Sequence, residues 1–404
     1  MSAPAEWLWM QRTFGIGTTR AHLALERCGR PDEILALSAR RLAQDNWLSP
    51  REKQAIASPD LAAAEELLKQ AQALGFSALT PDSPEYPARL RSISAIPLVL
   101  YAKGDRSLLA EPYPIAMVGS REPDEYGCRA ARKIATEIAG TGGVVVSGLA
   151  RGIDTVCHEA ALAVGGKTIG VLAAGPDSAY PRASLAIRDA VGEHGLLLSE
   201  FPVGCGIRPH SFHVRNRLLS GLSLAAVVVQ AARRSGALIT AGHALAQDRD
   251  VFAVCGDLFS RKMEGCHDLL CEGAAPIFSG VQLLKDYEAV YGIPLEPVAD
   301  GTRIAALANP VGKRAAQLPE RPAAKPARPA APVPAPRRPA PAILASLTET
   351  QDAVYTACAA ESGFDELCER TMLETASLLS ALTQLEIFGL IEELPGRRFR
   401  QVKP

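Results

Sequence analysis

The sequence predicts an α/β protein: a doubly wound sheet forms the core, a small helical domain precedes it, and a winged-helix domain follows it. Three observations support this fold class. Apolar runs alternate with helical patterns through the middle of the chain, which is typical of βαβ units. A Pro- and Ala-rich tract then interrupts the pattern, and helical patterns return after it. At 404 residues, the chain is also too long for one ordinary core.

Residues 1–80 are rich in Ala and Leu and predict a small helical domain. The turn Gly15-Ile16-Gly17 lies between two helical stretches. This is the outline of a helix-hairpin-helix or SAM-like unit, whose turn can offer backbone N–H groups to phosphate. A tight turn within a small helical bundle explains the same residues. Because the motif is short, we favour the bundle.

Residues 81–300 predict the doubly wound domain. Near-continuous runs of Val, Ile and Ala predict strands covered on both faces, at 97–101, 115–119, 143–147, 168–173, 196–200, 225–230 and 251–254. Helical patterns lie between them at 127–139, 154–164, 181–192 and 237–247. The arrangement is Rossmann-like, so we expect a ligand site outside the carboxyl ends of the strands.

The rest of the chain predicts a linker and a last domain. Residues 301–344 are dominated by Pro and Ala, with interspersed Lys and Arg, which predicts a semi-rigid linker. Residues 345–404 predict helices at 349–360, 364–372 and 376–388 and a hairpin with strands at 390–393 and 397–402. This outline is that of a winged helix. The third helix lacks basic residues, whereas the hairpin carries Arg397, Arg398, Arg400 and Lys403, so DNA binding and partner recruitment both stay open.

Composition excludes several classes of protein. The net charge of −1 gives no global nucleic-acid signal, so any cationic surface must be local. The nine Cys include no C-x-x-C pair, which suits reduced thiols. There is no signal-peptide pattern and no apolar stretch of about 18 residues, so we expect a cytoplasmic protein with no membrane partner. His210 and His213 lack a third ligand at metal-like spacing, so we expect no metal.

Two glycine-containing turns follow apolar strands, and each carries an arginine. They comprise Gly119, Ser120 and Arg121 in the first turn and Ser147, Gly148 and Arg151 in the second. Each leads into a helical pattern, where free N–H groups and the helix dipole favour an anion. An arginine adds a bidentate phosphate contact. An ordinary βα turn with a surface arginine explains either turn alone, but their repetition on adjacent strands favours a ligand with several phosphates.

Two further segments belong to the same predicted edge of the sheet. Phe212 precedes Arg215, Asn216 and Arg217, and an aromatic ring beside arginines can stack a base and hold phosphates. A third strand-to-helix turn follows the strand at 225–230. The predicted phosphate-binding residues are therefore Gly119, Ser120, Arg121, Ser147, Gly148, Arg151, Arg215, Asn216, Arg217, Ser235, Gly236 and Thr240, with Phe212 as the base-stacking residue.

Catalytic motifs are weaker than binding motifs in this chain. Asp154 and His158 lie four residues apart on a predicted helix. This spacing suits an acid–base pair, but a helix-start carboxylate with a hydrogen-bonded His beneath it is the more common arrangement. There is no P-loop motif, and no Gly-x-Gly-x-x-Gly follows the first strand. We therefore predict no catalytic residue and no cofactor.

These residues resemble the DprA/Smf family (DNA-processing protein A). The similarity extends over 118–127, 147–158, 180–182, 199–202, 215–223 and 235–241. It implies a non-enzymatic protein of natural transformation and recombination that binds incoming single-stranded DNA, loads RecA and helps displace single-strand-binding protein. The resemblance also implies a homodimer through the Rossmann-like domain. The family's phosphate contacts map to the first turn, the second turn and the pair Arg215 and Asn216.

The chain departs from the usual pattern of that family at four positions. His213 stands where Pro is usual, Gln230 where Glu is frequent, Cys255 where Pro is frequent and His267 where Asn is frequent. These departures affect the shape of the pocket and its base-stacking contribution. They leave the arginines in place.

Two other functions are compatible with parts of this sequence. The lysine-decarboxylase-like (LOG) group of nucleotide phosphoribohydrolases shares the scaffold and carries Pro-Gly-Gly-x-Gly-Thr-x-x-Glu. Here Thr240 is followed three positions on by His243, so the catalytic Glu of that group is missing. A pure adaptor, in which residues 345–404 recruit a protein, is the third class. Deleting that domain would separate DNA binding from recruitment.

Overall fold

The computed structural model describes residues 2–298, 348–360, 362–371, 373, 378, 381–382, 384–386, 390–394 and 398–402. The chain divides into two compact units, Met1–Gln317 and Leu318–Pro404. The predicted linker at 301–344 lies outside the described residues. Within the described ranges, none of the helices combines the length and apolar character that a membrane span requires.

A nine-stranded sheet forms the core of the first unit. Its strands are β1 (Ser77–Leu79), β2 (Leu100–Gly104), β3 (Pro114–Val118), β4 (Val144–Ser147), β5 (Lys167–Leu172), β6 (Leu196–Ser199), β7 (Ala225–Val228), β8 (Asp250–Val254) and β9 (Ala275–Ile277). The spatial order is β1-β2-β6-β5-β4-β3-β7-β8-β9. Neighbours from β6 to β9 pair in parallel, and β1 and β2 add an antiparallel edge. The predicted doubly wound fold is confirmed; β1 and β9 were not predicted, because three residues are too few to show a strand pattern.

Helices cover both faces of this sheet. They are α1 (Pro4–Phe14), α2 (Thr19–Cys28), α3 (Pro31–Leu35), α4 (Ala39–Gln44), α5 (Pro50–Ala57), α6 (Leu61–Ala73), α7 (Glu125–Gly140), α8 (Ile153–Ala163), α9 (Leu185–His194), α10 (Pro209–Leu222), α11 (Ala237–Ala246), α12 (Glu264–Cys271) and α13 (Gly280–Tyr291). In β3, Ala116 and Val118 pack with α10, α11 and α12, whereas Ile115 and Met117 pack with α7, α8 and α13. Burial on both faces explains the continuous apolar run.

The N-terminal helices pack on the sheet and do not form a separate core. Trp7 and Phe14 share one buried cluster with Tyr101 of β2. Gln11 of α1 also contacts the sheet directly, because its side-chain amide donates to the Glu200 carbonyl at 3.1 Å. The predicted boundary at residue 80 therefore does not separate two cores, since the apolar faces of the N-terminal helices are buried against the central domain.

The Gly15-Ile16-Gly17 turn packs against the central domain. Gly17 has a φ of +68°, and a Cβ there would lie 2.6 Å from Cγ1 of Val214 on α10. The Gly17 backbone lies close enough to the Glu200 carboxylate to lower the pKa of that carboxyl. The turn thus faces an internal carboxylate and a side chain of α10. This packing supports the interpretation as a turn within a helical bundle.

Within its described residues, the second unit contains helices and a three-stranded antiparallel sheet. The helices are α14 (Glu349–Ala357) and α15 (Phe364–Thr371), and the strand order is β10 (Ser362–Gly363), β12 (Arg398–Gln401), β11 (Ile391–Leu394). The predicted hairpin is confirmed as β11 and β12, and its turn lies outside the described residues. The predicted third helix at 376–388 falls partly outside them, and Leu378, Leu382 and Leu385 within it are buried.

Candidate nucleic-acid interface

A cleft of about 760 Å³ opens at the carboxyl ends of the central strands. β3 lies here between β4 and β7, where the strand order reverses, and doubly wound folds bind ligands at such a point. The predicted residues that line the cleft are Gly119, Ser120, Arg121, Phe212, Arg215, Asn216, Ser235, Gly236 and Thr240. Four other predicted residues, Ser147, Gly148, Arg151 and Arg217, do not line it.

The first turn presents a hydroxyl group and a guanidinium to the cleft. The Ser120 N–H donates to the Gln230 carbonyl at 2.7 Å, so this donor is engaged within the protein. The Ser120 hydroxyl accepts from the Glu122 N–H at 3.1 Å and keeps its own proton for a ligand. The Arg121 guanidinium lies over the Phe212 ring, 4.5 Å from its centroid. This cation–π contact orients the guanidinium.

Gly119 and Gly148 are required by internal packing. A Cβ at position 119 would lie 2.7 Å from Cγ1 of Ile153 on α8. A Cβ at position 148 would lie 2.3 Å from Nη1 of Arg215. Both glycines therefore make room for side chains of the protein itself.

Two N–H groups of the second turn are engaged within the protein, contrary to the prediction that they bind a ligand. Those of Gly148 and Ala150 donate to Oδ2 of Asp154 at 3.2 Å and 3.3 Å. Ser147 is fully buried, and its hydroxyl donates to the Met117 carbonyl at 2.6 Å. The Asp154 carboxylate thus occupies the anion position that the sequence had suggested for a phosphate.

Arg151 lies outside the cleft and supports the first turn. Its Nη2 forms an ion pair with the Glu122 carboxylate, and its Nε donates to the Arg121 carbonyl at 3.1 Å. The structure therefore does not place Arg151 in the cleft, and its contact with phosphate stays a prediction. Its guanidinium contacts groups of the first turn, which is 30 residues away in sequence but adjacent in the fold.

Arg215 and Asn216 form a buried hydrogen-bonded group at the base of the cleft. Nη1 of Arg215 donates to the carbonyls of Gly148 and Val171, and Nε donates to Oδ1 of Asn216 at 3.1 Å. Burial lowers the pKa of Arg215 to about 10, so the group stays charged at neutral pH. Asn216 donates in turn to the Gly236 carbonyl at 3.4 Å. The pair thus connects α10 with the second and third turns.

Arg217 is buried away from the cleft. It forms an ion pair with Glu200 in which the side chains are only 6% and 2% exposed. Residues two apart on an α-helix lie about 200° apart around its axis, so Arg215 and Arg217 of α10 face different sides. The prediction placed both at the cleft because it did not recognise α10 as a helix; a helical reading of 209–222 would have separated them.

The third turn adds a cation and an unpaired hydroxyl to the cleft. Arg234 lines the cleft, whereas Arg233 forms an ion pair with Asp268 at 2.8 Å. Thr240 is buried, and its Oγ1 has no hydrogen-bond partner among the described residues. A buried hydroxyl without a partner costs free energy. Because Thr240 lines the cleft, a ligand there would supply the missing partner.

The cleft is locally cationic although the whole chain carries a net charge of −1. Arg121, Arg215 and Arg234 line it, together with the single carboxylate of Asp154. His213 also lines it, whereas His210 is exposed elsewhere. In the part of the chain that the structure describes, no group of three or more His, Cys, Asp or Glu could hold a metal ion. The cleft therefore suits an anionic ligand.

His158 lies fully buried beneath the second turn. Its Nδ1 is 2.7 Å from Oγ1 of Thr168, which itself donates to the Val145 carbonyl at 2.8 Å. Burial lowers the pKa of His158 from 6.5 to about 3. Asp154, four residues earlier, binds the turn N–H groups. The two side chains thus hold the turn and the sheet, in agreement with the structural interpretation of their spacing.

The lowered pKa of His158 predicts acid sensitivity. Between pH 6.5 and about 3 the unfolded chain binds a proton at His158 that the folded protein does not, so stability falls as the pH drops. The slope is up to about 1.4 kcal/mol per pH unit. Urea unfolding at pH 7, 6 and 5 should show a shallower pH dependence for His158→Gln than for the wild type. Identical slopes would contradict a neutral buried imidazole.

Models of known families match both units of the chain. A model described as DNA recombination-mediator protein A matches residues 77–288, which is more than half of the chain. A model described as the DprA winged helix domain matches residues 324–397. The predicted winged helix at the end of the chain is thereby confirmed.

Curated relatives and a solved structure agree with these matches. Protein Smf of Synechocystis sp. is 32% identical over 339 residues, which cover 83% of each chain. DNA processing protein DprA of Bacillus subtilis is 42% identical over 212 residues, covering 52% of this chain and 71% of the relative. The X-ray structure of DNA processing protein A from Streptococcus pneumoniae has a TM-score of 0.62 at 31% identity, covering 71% of this chain and 99% of that one. The chain therefore belongs to the DNA recombination-mediator protein A (DprA/Smf) family, as its turns and arginines had indicated.

Proposed function

We propose that this protein binds single-stranded DNA in the cleft, without sequence preference, and loads RecA on the bound strand during natural transformation and recombination. The observation that carries the DNA-binding part is the set of donors around the cleft. Arg121, Arg215 and Arg234 line it with the hydroxyls of Ser120 and Thr240. Such groups suit phosphate oxygens, and phosphate contacts carry no sequence information.

The aromatic lining favours a single strand over a duplex. Phe212 lines the cleft beside Arg121, and bases of a single strand are free to stack on such a ring. In a duplex those bases are already stacked on one another. We infer binding without covalent chemistry, and so assign no catalytic residue.

RecA loading is proposed from membership of a family of recombination mediators. A protein that holds the sugar–phosphate backbone leaves base edges accessible to a recombinase. The proposal includes a homodimer through the central domain and, as a consequence of loading, displacement of single-strand-binding protein. The cytosol is the compartment in which we place this activity.

We expect Arg121→Ala to weaken binding of mixed-sequence oligonucleotides roughly tenfold or more, because a charge-assisted contact to phosphate is lost. The loss should be similar for all sequences. The dependence of log K on log salt concentration should become less steep by about 0.7, the contribution of one phosphate on a single strand. Fluorescence anisotropy at several salt concentrations measures both effects.

Arg233→Ala is the matched control for this substitution, because Arg233 is paired with Asp268 and does not line the cleft. Its affinity and salt dependence should equal those of the wild type. RecA loading, followed as strand exchange on DNA coated with single-strand-binding protein, should fall with DNA affinity in Arg121→Ala. Wild-type affinity in both variants would remove the support for this cleft as the DNA site.

A further inference from the structure

Tyr180 lies next to the cleft, and the sequence had not indicated a binding role for it. Its ring contacts the Phe212 ring edge-on, with 6.0 Å between centroids and 65° between planes. The Arg121 guanidinium lies over that same Phe212 ring at 4.5 Å. Phe212 therefore contacts both Arg121, which we propose binds phosphate, and a second aromatic ring.

The contact with Arg121 reduces the surface of the Phe212 ring that is accessible to a DNA base. The face of Phe212 under the guanidinium is already covered, so this ring serves partly to orient Arg121. Tyr180 is 43% exposed, whereas Phe212 is partly buried. It is therefore the ring of this pair with more surface accessible to a base.

Tyr180 also borders a narrow crevice beside the cleft. The crevice is lined by Leu149, Ala150, Pro181 and Ile207 among others. Ala150, Ile207 and Phe212 line both the crevice and the cleft, so the two are continuous. At about 10 Å³ the crevice is too small to hold a base, so a nucleotide with its phosphate in the cleft would place its base against the exposed Tyr180 ring.

The loop that carries Tyr180 is braced by the protein. The Arg188 guanidinium donates to the carbonyls of Pro176 and Ser178. The Tyr180 N–H lies 3.4 Å from Oγ of Ser178. A ring presented from a braced loop loses little conformational entropy on binding, which favours a contact with a ligand.

We propose that Tyr180 is a base-stacking residue, on whose exposed ring the base of the nucleotide whose phosphate Arg121 holds is stacked. This inference rests on the proposed function. Stacking on an aromatic ring tolerates every base. The subsite therefore strengthens binding without selecting a sequence.

The test compares a normal oligothymidylate with an abasic oligonucleotide of the same length. Tyr180→Leu, which keeps apolar bulk but removes the ring, should bind the normal strand roughly five- to tenfold more weakly, the loss expected for one stacked base. Binding of the abasic strand should be unchanged. Tyr180→Phe should bind both strands as the wild type does. With 2-aminopurine in the strand, the wild type and Tyr180→Phe should quench its fluorescence more than Tyr180→Leu.

Tyr291→Leu is the matched control, since Tyr291 is 53% exposed and its ring lies 6.0 Å from that of Tyr287 on α13. It should bind both strands normally. The inference is overturned if Tyr180→Leu binds the normal strand like the wild type, if it weakens both strands equally, or if the wild type does not quench 2-aminopurine. Failure of the proposed function looks different: the wild type then binds neither strand, and Arg121→Ala has no effect.

Discussion

Arg217→Met is expected to destabilise the protein by about 3–5 kcal/mol, the usual cost of removing one partner of a buried ion pair. The substitution leaves the Glu200 carboxylate, 2% exposed, without its cation. Burial already raises the pKa of Glu200, and Arg217 and the Gly17 N–H act in the opposite direction. Urea unfolding followed by circular dichroism measures the loss.

A double variant separates the ion pair from the rest of the packing. Arg217→Met with Glu200→Leu removes both charges, and we expect it to recover much of the stability, since apolar replacement of a whole buried pair is often neutral. Arg233→Met, which breaks the exposed pair with Asp268, should show no measurable loss. If Arg217→Met were as stable as Arg233→Met, the buried pair would not hold α10 against the end of β6.

Gly152→Ala is expected to disrupt DNA binding by displacing the backbone of the first turn, without removing any side chain that lines the cleft. Gly152 has a φ of +93°, and a Cβ there would lie 2.3 Å from the Ser120 carbonyl oxygen and 2.8 Å from the Arg121 carbonyl carbon. The next residue, Ile153, donates its N–H to the same Ser120 carbonyl at 3.1 Å. The first turn must therefore move away from α8 if a methyl group is added.

We expect this variant to bind mixed-sequence oligonucleotides at least as weakly as Arg121→Ala. Backbone strain adds a loss of stability of about 1–3 kcal/mol. Gly273→Ala is the matched control: its φ is +106°, but a Cβ there meets no atom within 4 Å. It shares the strain and should keep its DNA affinity, which anisotropy measures. Normal affinity in Gly152→Ala would show that the position of the first turn does not matter for binding.

Much of the fold and part of the site could be predicted because both follow from local pattern. Apolar runs placed seven of the strands, and the carboxyl ends of parallel strands meet at one edge of a sheet. Ser120, Arg121 and Thr240 therefore line one cleft although they are distant in the chain.

The errors have a common physical origin. Ser147 and Arg151 have the residue types of a phosphate site, but their partners are the Met117 carbonyl and the Glu122 carboxylate, which lie about 30 residues earlier. Arg217 pairs with Glu200, 17 residues earlier. A short motif does not show which distant groups will satisfy its donors.

The sequence by itself determined the layered α/β architecture and the edge of the sheet where the turns converge, because hydrophobic periodicity and strand direction are properties of local chain segments. Only the tertiary structure decided which charges face the cleft. Arg121 and Arg234 line it, whereas Arg151 and Arg217 pair with carboxylates outside it. The reason is that a guanidinium is satisfied by whichever acceptor folding brings within reach, and that acceptor is set by packing between remote parts of the chain.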